Sequence, residues 1–152
     1  MKKESKNKVI PFFRGQSAAN IMKIADTFEF RRGGRLKNVS IAYETWGQLN
    51  SSKSNVVVIF TGLSASSHVT SSDYDSSAGW WEAMVGSGKA IDSDKHFVVC
   101  INTLGSCFGS TSPVSINENT EQPYRLSFPE LTVEDMATAS NMLLEKLNID
   151  EI

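Results

Sequence analysis

Val56-Val57-Val58-Ile59-Phe60 is an unbroken run of β-branched and aromatic residues. A run without polar alternation is the signature of a strand covered on both faces, as in a parallel sheet. His96-Phe97-Val98-Val99-Cys100-Ile101 is a second run of the same kind. The connection between them, residues 61–95, is long enough for a crossover and contains Trp80-Trp81-Glu82-Ala83-Met84, which predicts a helical turn. Two buried strands joined by a right-handed crossover define an α/β fold with a doubly wound sheet.

Upstream the pattern changes to alternation. Thr27-Phe28-Glu29-Phe30 predicts a strand, Arg31-Arg32-Gly33-Gly34 a tight turn, and Val39 to Trp46 a partner strand with Val39, Ile41, Tyr43 and Thr45 on one side. This hairpin is expected to be antiparallel and half solvated. Residues 1–26 are lysine-rich and then weakly patterned, a basic arm expected to be poorly ordered, so the folded part is assigned to 27–152. Downstream, Thr132 with Asp135 forms a capping box opening a helix. Val133, Met136, Ala137, Ser140, Leu143, Leu144 and Leu147 recur at helical spacing until Asn148 ends it.

The chain has 152 residues, 40% hydrophobic and 21% charged, with 15 Lys+Arg against 17 Asp+Glu. That is enough apolar material for a core, and the formal charge of −2 signals no nucleic-acid or anionic-membrane partner. Cys100 and Cys107 are too few for a disulfide framework, and no spacing of Cys and His suggests zinc. Cys100 closes an apolar run and reads as a buried, reduced strand residue, so a reducing cytoplasmic setting is expected, and no apolar stretch is long enough for a signal peptide or membrane span.

Two loops carry candidate chemistry. Gly62-Leu63-Ser64-Ala65-Ser66 follows a buried strand and imitates a nucleophile elbow, but the second glycine is replaced by Ser66. Ser64 is therefore open to three readings: a nucleophile paired with His68, a loop supplying an oxyanion N–H, or a plain serine-rich loop. Asn102-Thr103-Leu104-Gly105-Ser106-Cys107-Phe108-Gly109-Ser110-Thr111-Ser112-Pro113 follows the second strand, where open sheets place ligands. It is not a P-loop, and Cys107 lacks a neighbouring base in sequence. His96 reads as a strand-edge histidine; Asp73, Asp75, Asp92 and Asp94 read as solvated turn residues, and no metal site is expected.

An ordered series of motifs carries a family resemblance. It runs from Phe30-Arg31-Arg32-Gly33-Gly34 through Ile41-Ala42-Tyr43-Glu44-Thr45-Trp46-Gly47 to the long stretch from Gly79-Trp80-Trp81 to Ala90-Ile91-Asp92. It continues through Asn102 to Thr111 and Pro123-Tyr124-Arg125-Leu126-Ser127-Phe128-Pro129. This series resembles the N-terminal part of the homoserine O-acetyltransferase family, which are α/β-hydrolase-fold acyltransferases. Thr61-Gly62-Leu63-Ser64-Ala65, with Trp46 and Gly105-Ser106-Cys107, is more similar to the serine O-succinyltransferase branch.

The resemblance implies acyl transfer from acyl-CoA (succinyl-CoA, or acetyl-CoA) to the hydroxyl of L-serine or L-homoserine, in cysteine or methionine biosynthesis, with no bound cofactor. It gives Leu63 a backbone N–H in the oxyanion hole, and makes Gly62, Leu63, Ser64 and Ala65 a substrate-specificity loop. The family's nucleophile lies in a Gly-x-Ser-Met-Gly-Gly elbow after the next strand, so Ser64 is not its counterpart and the triad is expected beyond Ile152. The full-length enzyme is expected to be a homodimer, and these 152 residues alone an inactive fragment. Two rivals stand beside this: a non-catalytic remnant or interaction module, and an esterase using Ser64 and His68.

Overall fold

The structure, a computed structural model, describes residues 20–62, 64–150 and 152. Its centre is a four-stranded mixed sheet in the order β1 (Asn20–Glu29), β2 (Arg35–Trp46), β6 (Phe97–Ile101), β3 (Val56–Phe60). β1 and β2 pair antiparallel, β2 and β6 pair antiparallel, and β3 and β6 pair parallel from Val56↔Phe97 to Phe60↔Ile101. The two β-branched runs pair in parallel as their composition predicts, but only β6 is covered on both faces: β3 is the edge strand, with Val56, Val57 and Val58 half-buried, Ile59 buried and Phe60 exposed. The hairpin turn also forms: Gly33 N–H donates to the Phe30 carbonyl at 2.9 Å, with Gly33 and Gly34 at φ +90° and +88°.

Other expectations need correction. β1 begins at Asn20, so residues 20–26 are strand rather than arm, and residues 1–19 lie outside those described. The register shift between Lys23 and Ala25 breaks the alternation there, which is why the pattern is legible only from Thr27. Next, β2 is not half solvated: Ala42, Glu44 and Trp46 are buried along with Ile41 and Tyr43, because β6 extends the sheet beside it. Finally, Trp80–Met84 forms hydrogen-bonded turns, not a helix, leading into a two-residue parallel ladder of β4 (Val85–Gly86) and β5 (Ile91–Asp92). A further short ladder pairs β7 (Ile116–Asn117) with β8 (Gln122–Pro123).

The sheet carries a core on each face. Val99 and Ile101 of β6 join Ile41, Phe28 and Ile24 beneath α1 (Val133–Lys146), whose Ala139, Leu143 and Leu144 face the sheet. Val98 and Cys100 point the other way, into a cluster of Trp46, Ile59, Val69 and Val85 under the crossover. Period-two alternation divides the run Phe97–Ile101 between two cores, the reason it shows no polar positions. The α1 capping box is present: Asp135 N–H donates to Thr132 Oγ1 at 3.2 Å and Thr132 N–H to Asp135 Oδ2 at 2.9 Å. The helix lies rotated from the stripe read in sequence, with Val133 and Ala137 exposed and Asp135 and Ala139 buried. Asn148 (φ +59°) closes it in a Schellman arrangement, with Ile149 N–H donating to Leu144 O at 2.9 Å. No helix of the described residues is long and apolar enough to cross a membrane.

Candidate functional site

Parallel pairing of β3 and β6 sets the loops leaving their C-terminal ends side by side, the position of ligand crevices in open α/β sheets. The Thr61 hydroxyl donates to the Ile101 carbonyl at 3.2 Å and approaches the Thr103 hydroxyl at 3.5 Å. Beyond it Gly62 and Ser64 are exposed and Ala65 is half-buried; Leu63 lies outside the described residues.

From Ser66 to Thr70 the loop is buried, and several side chains fasten it. Trp80 Nε1 donates to the Ser66 carbonyl at 2.8 Å and Trp46 Nε1 to the Ser71 carbonyl at 3.0 Å. The Glu82 carboxylate accepts the N–H groups of Ser71 at 2.8 Å and Gly79 at 3.0 Å, which hold its pKa far below the usual range. A Cβ on Gly79 would strike the backbone of Val69 and Thr70, so the close return of this segment requires glycine.

At the centre of the loop sits His68. Its Nδ1 lies 3.1 Å from Glu44 Oε2, and its Nε2 lies 2.9 Å from the Ser77 carbonyl and 3.2 Å from the Ser77 hydroxyl. Both His68 and Glu44 are about 4% exposed at the side chain. A carbonyl oxygen can only accept, so Nε2 carries a proton. Burial raises the Glu44 pKa, with His68 partly offsetting it. Burial disfavours charged His68, but the Ser77 carbonyl and Glu44 outweigh it and hold the imidazole above its ordinary pKa. The geometry overturns the Ser64–His68 dyad: both ring nitrogens are committed to other groups, and Ser64 is exposed. Glu44 carried no role in the sequence reading, because an acid in an alternating strand reads as solvent-facing. The signal in the sequence is its place between Ala42 and Trp46, apolar residues on the same face of the strand.

The second loop is tied back to β2. Ser110 Oγ donates to the Asn102 carbonyl at 2.5 Å and accepts from Ala42 N–H at 3.0 Å, while Thr111 N–H donates to Ser40 O at 2.8 Å. Gly105 (φ +91°) presses on Leu131, where a Cβ would clash. Cys107 is exposed at the loop, and Cys100 is wholly buried with its thiol pushed up to about 12 by burial and the neighbouring Glu44. Among the described residues, the buried Asn102 Nδ2 and Ser112 hydroxyl have no hydrogen-bond partner.

Asp75, Asp92 and Asp94 brace the loops that carry them. Asp75 accepts from Ser77 Oγ at 2.6 Å and Asp94 from Ser87 Oγ at 2.5 Å. Asp92, expected to be solvated, is nearly buried and held at about 2 by Lys95 and the N–H groups of Gly88 and Asp94. No group of His, Cys, Asp and Glu among the described residues could hold a metal ion. His96 precedes β6 and is half-buried.

No protein-family profile matches the chain. It is 54% identical over 125 residues to a serine O-succinyltransferase of Stenotrophomonas maltophilia, covering 82% of this chain and 34% of that protein. It is 50% identical over 135 residues to the serine O-succinyltransferase of Litchfieldella anticariensis (89% and 37%). It is 48% identical over 135 residues to an L-serine/homoserine O-acetyltransferase of Streptomyces lavendulae (89% and 36%). The chain spans about a third of the length of the curated relatives it matches. Among solved structures, esterase E22 superposes with a TM-score of 0.79 at 35% identity, covering 88% of this chain and 38% of that one. A homoserine O-acetyltransferase from Bacillus anthracis gives 0.79 at 32% identity, covering 88% and 37%. These neighbours have the α/β-hydrolase fold, and the chain's mixed sheet is the corresponding part of it. The chain is a homologue of the serine and homoserine O-acyltransferases over most of its own length.

Proposed function

We propose that this homologue of the serine and homoserine O-acyltransferases supplies the oxyanion loop and acceptor side of an acyl-CoA-dependent enzyme. Serine is the proposed acceptor and succinyl-CoA the donor, with homoserine and acetyl-CoA as the alternative pair. The observation that carries the acceptor is that serine stands in the names of the three relatives quoted, whereas the donor varies among them.

In the proposed reaction a serine hydroxyl attacks the thioester carbonyl, the C–S bond breaks, and CoA leaves as the thiol after taking up a proton. The acceptor hydroxyl then attacks the acyl-serine ester, and the enzyme serine recovers its proton as the new ester departs. Each attack places negative charge on the carbonyl oxygen, which backbone N–H donors stabilise. Leu63 is proposed as one donor, with Gly62, Ser64 and Ala65 shaping the acceptor pocket. The position of this loop at the mouth of a parallel pair supports that role, as does its rigid fastening beyond Ala65.

The 152 residues contain no Gly-x-Ser-x-Gly sequence, so the nucleophile is assigned to the whole protein rather than this stretch, along with the proposed homodimer. Assay of the whole protein with serine and homoserine against succinyl- and acetyl-CoA tests the reading. O-Succinylserine as the fastest-formed product is expected; turnover of neither amino acid overturns it.

A further inference from the structure

We infer that Glu44 and His68 are a positioning pair that pins the loop after β3, from Ser64 to Ser77, over the C-terminal ends of β3 and β6. Glu44 stands in a row with Cys100 and Ile59 across three strands, on a face otherwise built from Trp46, Val98 and Val69. An acid in such a row is retained against the cost of burial only where a partner compensates it. That partner is His68, reaching from the loop to Nδ1–Oε2 contact at 3.1 Å. The other ring nitrogen donates to the Ser77 carbonyl, so one imidazole ties the sheet to the middle of the loop and to its Ser77 end. Neighbouring backbone bonds follow: Trp80 N–H to His68 O at 3.3 Å and Trp81 N–H to Val69 O at 2.8 Å.

The groups that face the imidazole are Glu44 from β2 and Asp75 and Ser77 from the loop, Asp75 Oδ2 standing 4.0 Å from Nε2. Cys100 faces Glu44 from β6. The inference rests on the proposed pocket for its bearing on catalysis, but the pair itself is open to separate test. Failure of the acylation assay removes the pocket, and failure of the experiment below removes the pair.

The test is amide hydrogen exchange and histidine NMR on the full chain, with Glu44→Gln, which keeps a hydrogen bond without charge, and Glu44→Leu, which keeps neither. Exchange at Val69, Ser71, Trp80 and Trp81 is expected to rise about tenfold or more in Glu44→Leu and less in Glu44→Gln, following the worth of a charge-assisted bond. Amides of β6, Val98 to Ile101, serve as the internal control and are expected to change far less. The His68 titration midpoint is expected to fall in Glu44→Gln. Loop amides that do not respond, loop and β6 amides that speed up equally, or an unmoved His68 midpoint would each overturn the inference.

Discussion

The indole N–H of Trp46, at the end of β2, donates to the backbone carbonyl of Ser71 in the crossover at 3.0 Å. The ring also packs in the crossover-side core with Val98 and Val69, so one side chain joins sheet and loop by two kinds of contact. Trp46→Phe keeps an aromatic ring and leaves the Ser71 carbonyl without its donor. A loss of about 1 kcal/mol in urea unfolding is expected from the bond, with any unfilled volume adding to it.

Stability should peak at mildly acidic pH. Glu82 has a folded pKa below its ordinary 4.5, set chiefly by the Ser71 and Gly79 N–H groups, so its contribution is full above 4.5 and is lost as pH falls through the depressed value. His68 has a folded pKa above 6.5, so its contribution is full below 6.5 and is lost as pH rises through the raised value. Glu44 is raised as well and acts in the same direction as His68, weakening the fold as pH climbs. Thermal unfolding across pH should show both limbs, with Glu82→Gln flattening the acid limb and His68→Asn the alkaline one.

The α1 N-terminus also holds the hairpin. Asp135, 2% exposed, accepts from Thr132 N–H and, across 104 residues of sequence, from Arg31 N–H at 3.0 Å. Thr132→Ala removes a cap and should cost about 1 kcal/mol. Asp135→Ala leaves two backbone donors without their acceptor and should cost about 2–3 kcal/mol, the larger loss in the same denaturant titration.

Thiol chemistry reads the fold directly. Cys107 is exposed, while Cys100 is 0% exposed between Val99 and Ile101 with its thiol pushed up to about 12. A maleimide or disulfide reagent should label one thiol rapidly and the second only on unfolding. Equal, rapid labelling of both would contradict the packing of β6.

The parallel pair was plain in sequence because a strand divided between two cores leaves no polar register, and Val56–Phe60 and Phe97–Ile101 have none. The capping box was plain because Thr132 and Asp135 satisfy a local rule. The start of β1 is hidden by its register shift, and within the crossover Trp80 to Met84 reads as a helical turn because Trp80, Trp81 and Met84 are spaced like one while their backbones close separate turns. Of the candidate site, the loop after β3 was visible by position alone. The Glu44–His68 contact was not, since it joins residues 24 apart through a sheet face that takes shape only when β6 pairs with β2. Spacing offers Ser64 as one partner for His68, a reading that the buried, doubly bonded imidazole refutes.

In the proposed function this stretch performs the work of the matching stretch in a serine O-acyltransferase. Its most direct test is a chimera of the Stenotrophomonas maltophilia enzyme in which the 125 matching residues are replaced by those of this chain. Measured by product formation from serine and succinyl-CoA, the chimera is expected to make O-succinylserine, and to lose that activity when Gly62 and Ala65 are enlarged to leucine. A folded chimera that acylates neither serine nor homoserine would rule out that role for these residues.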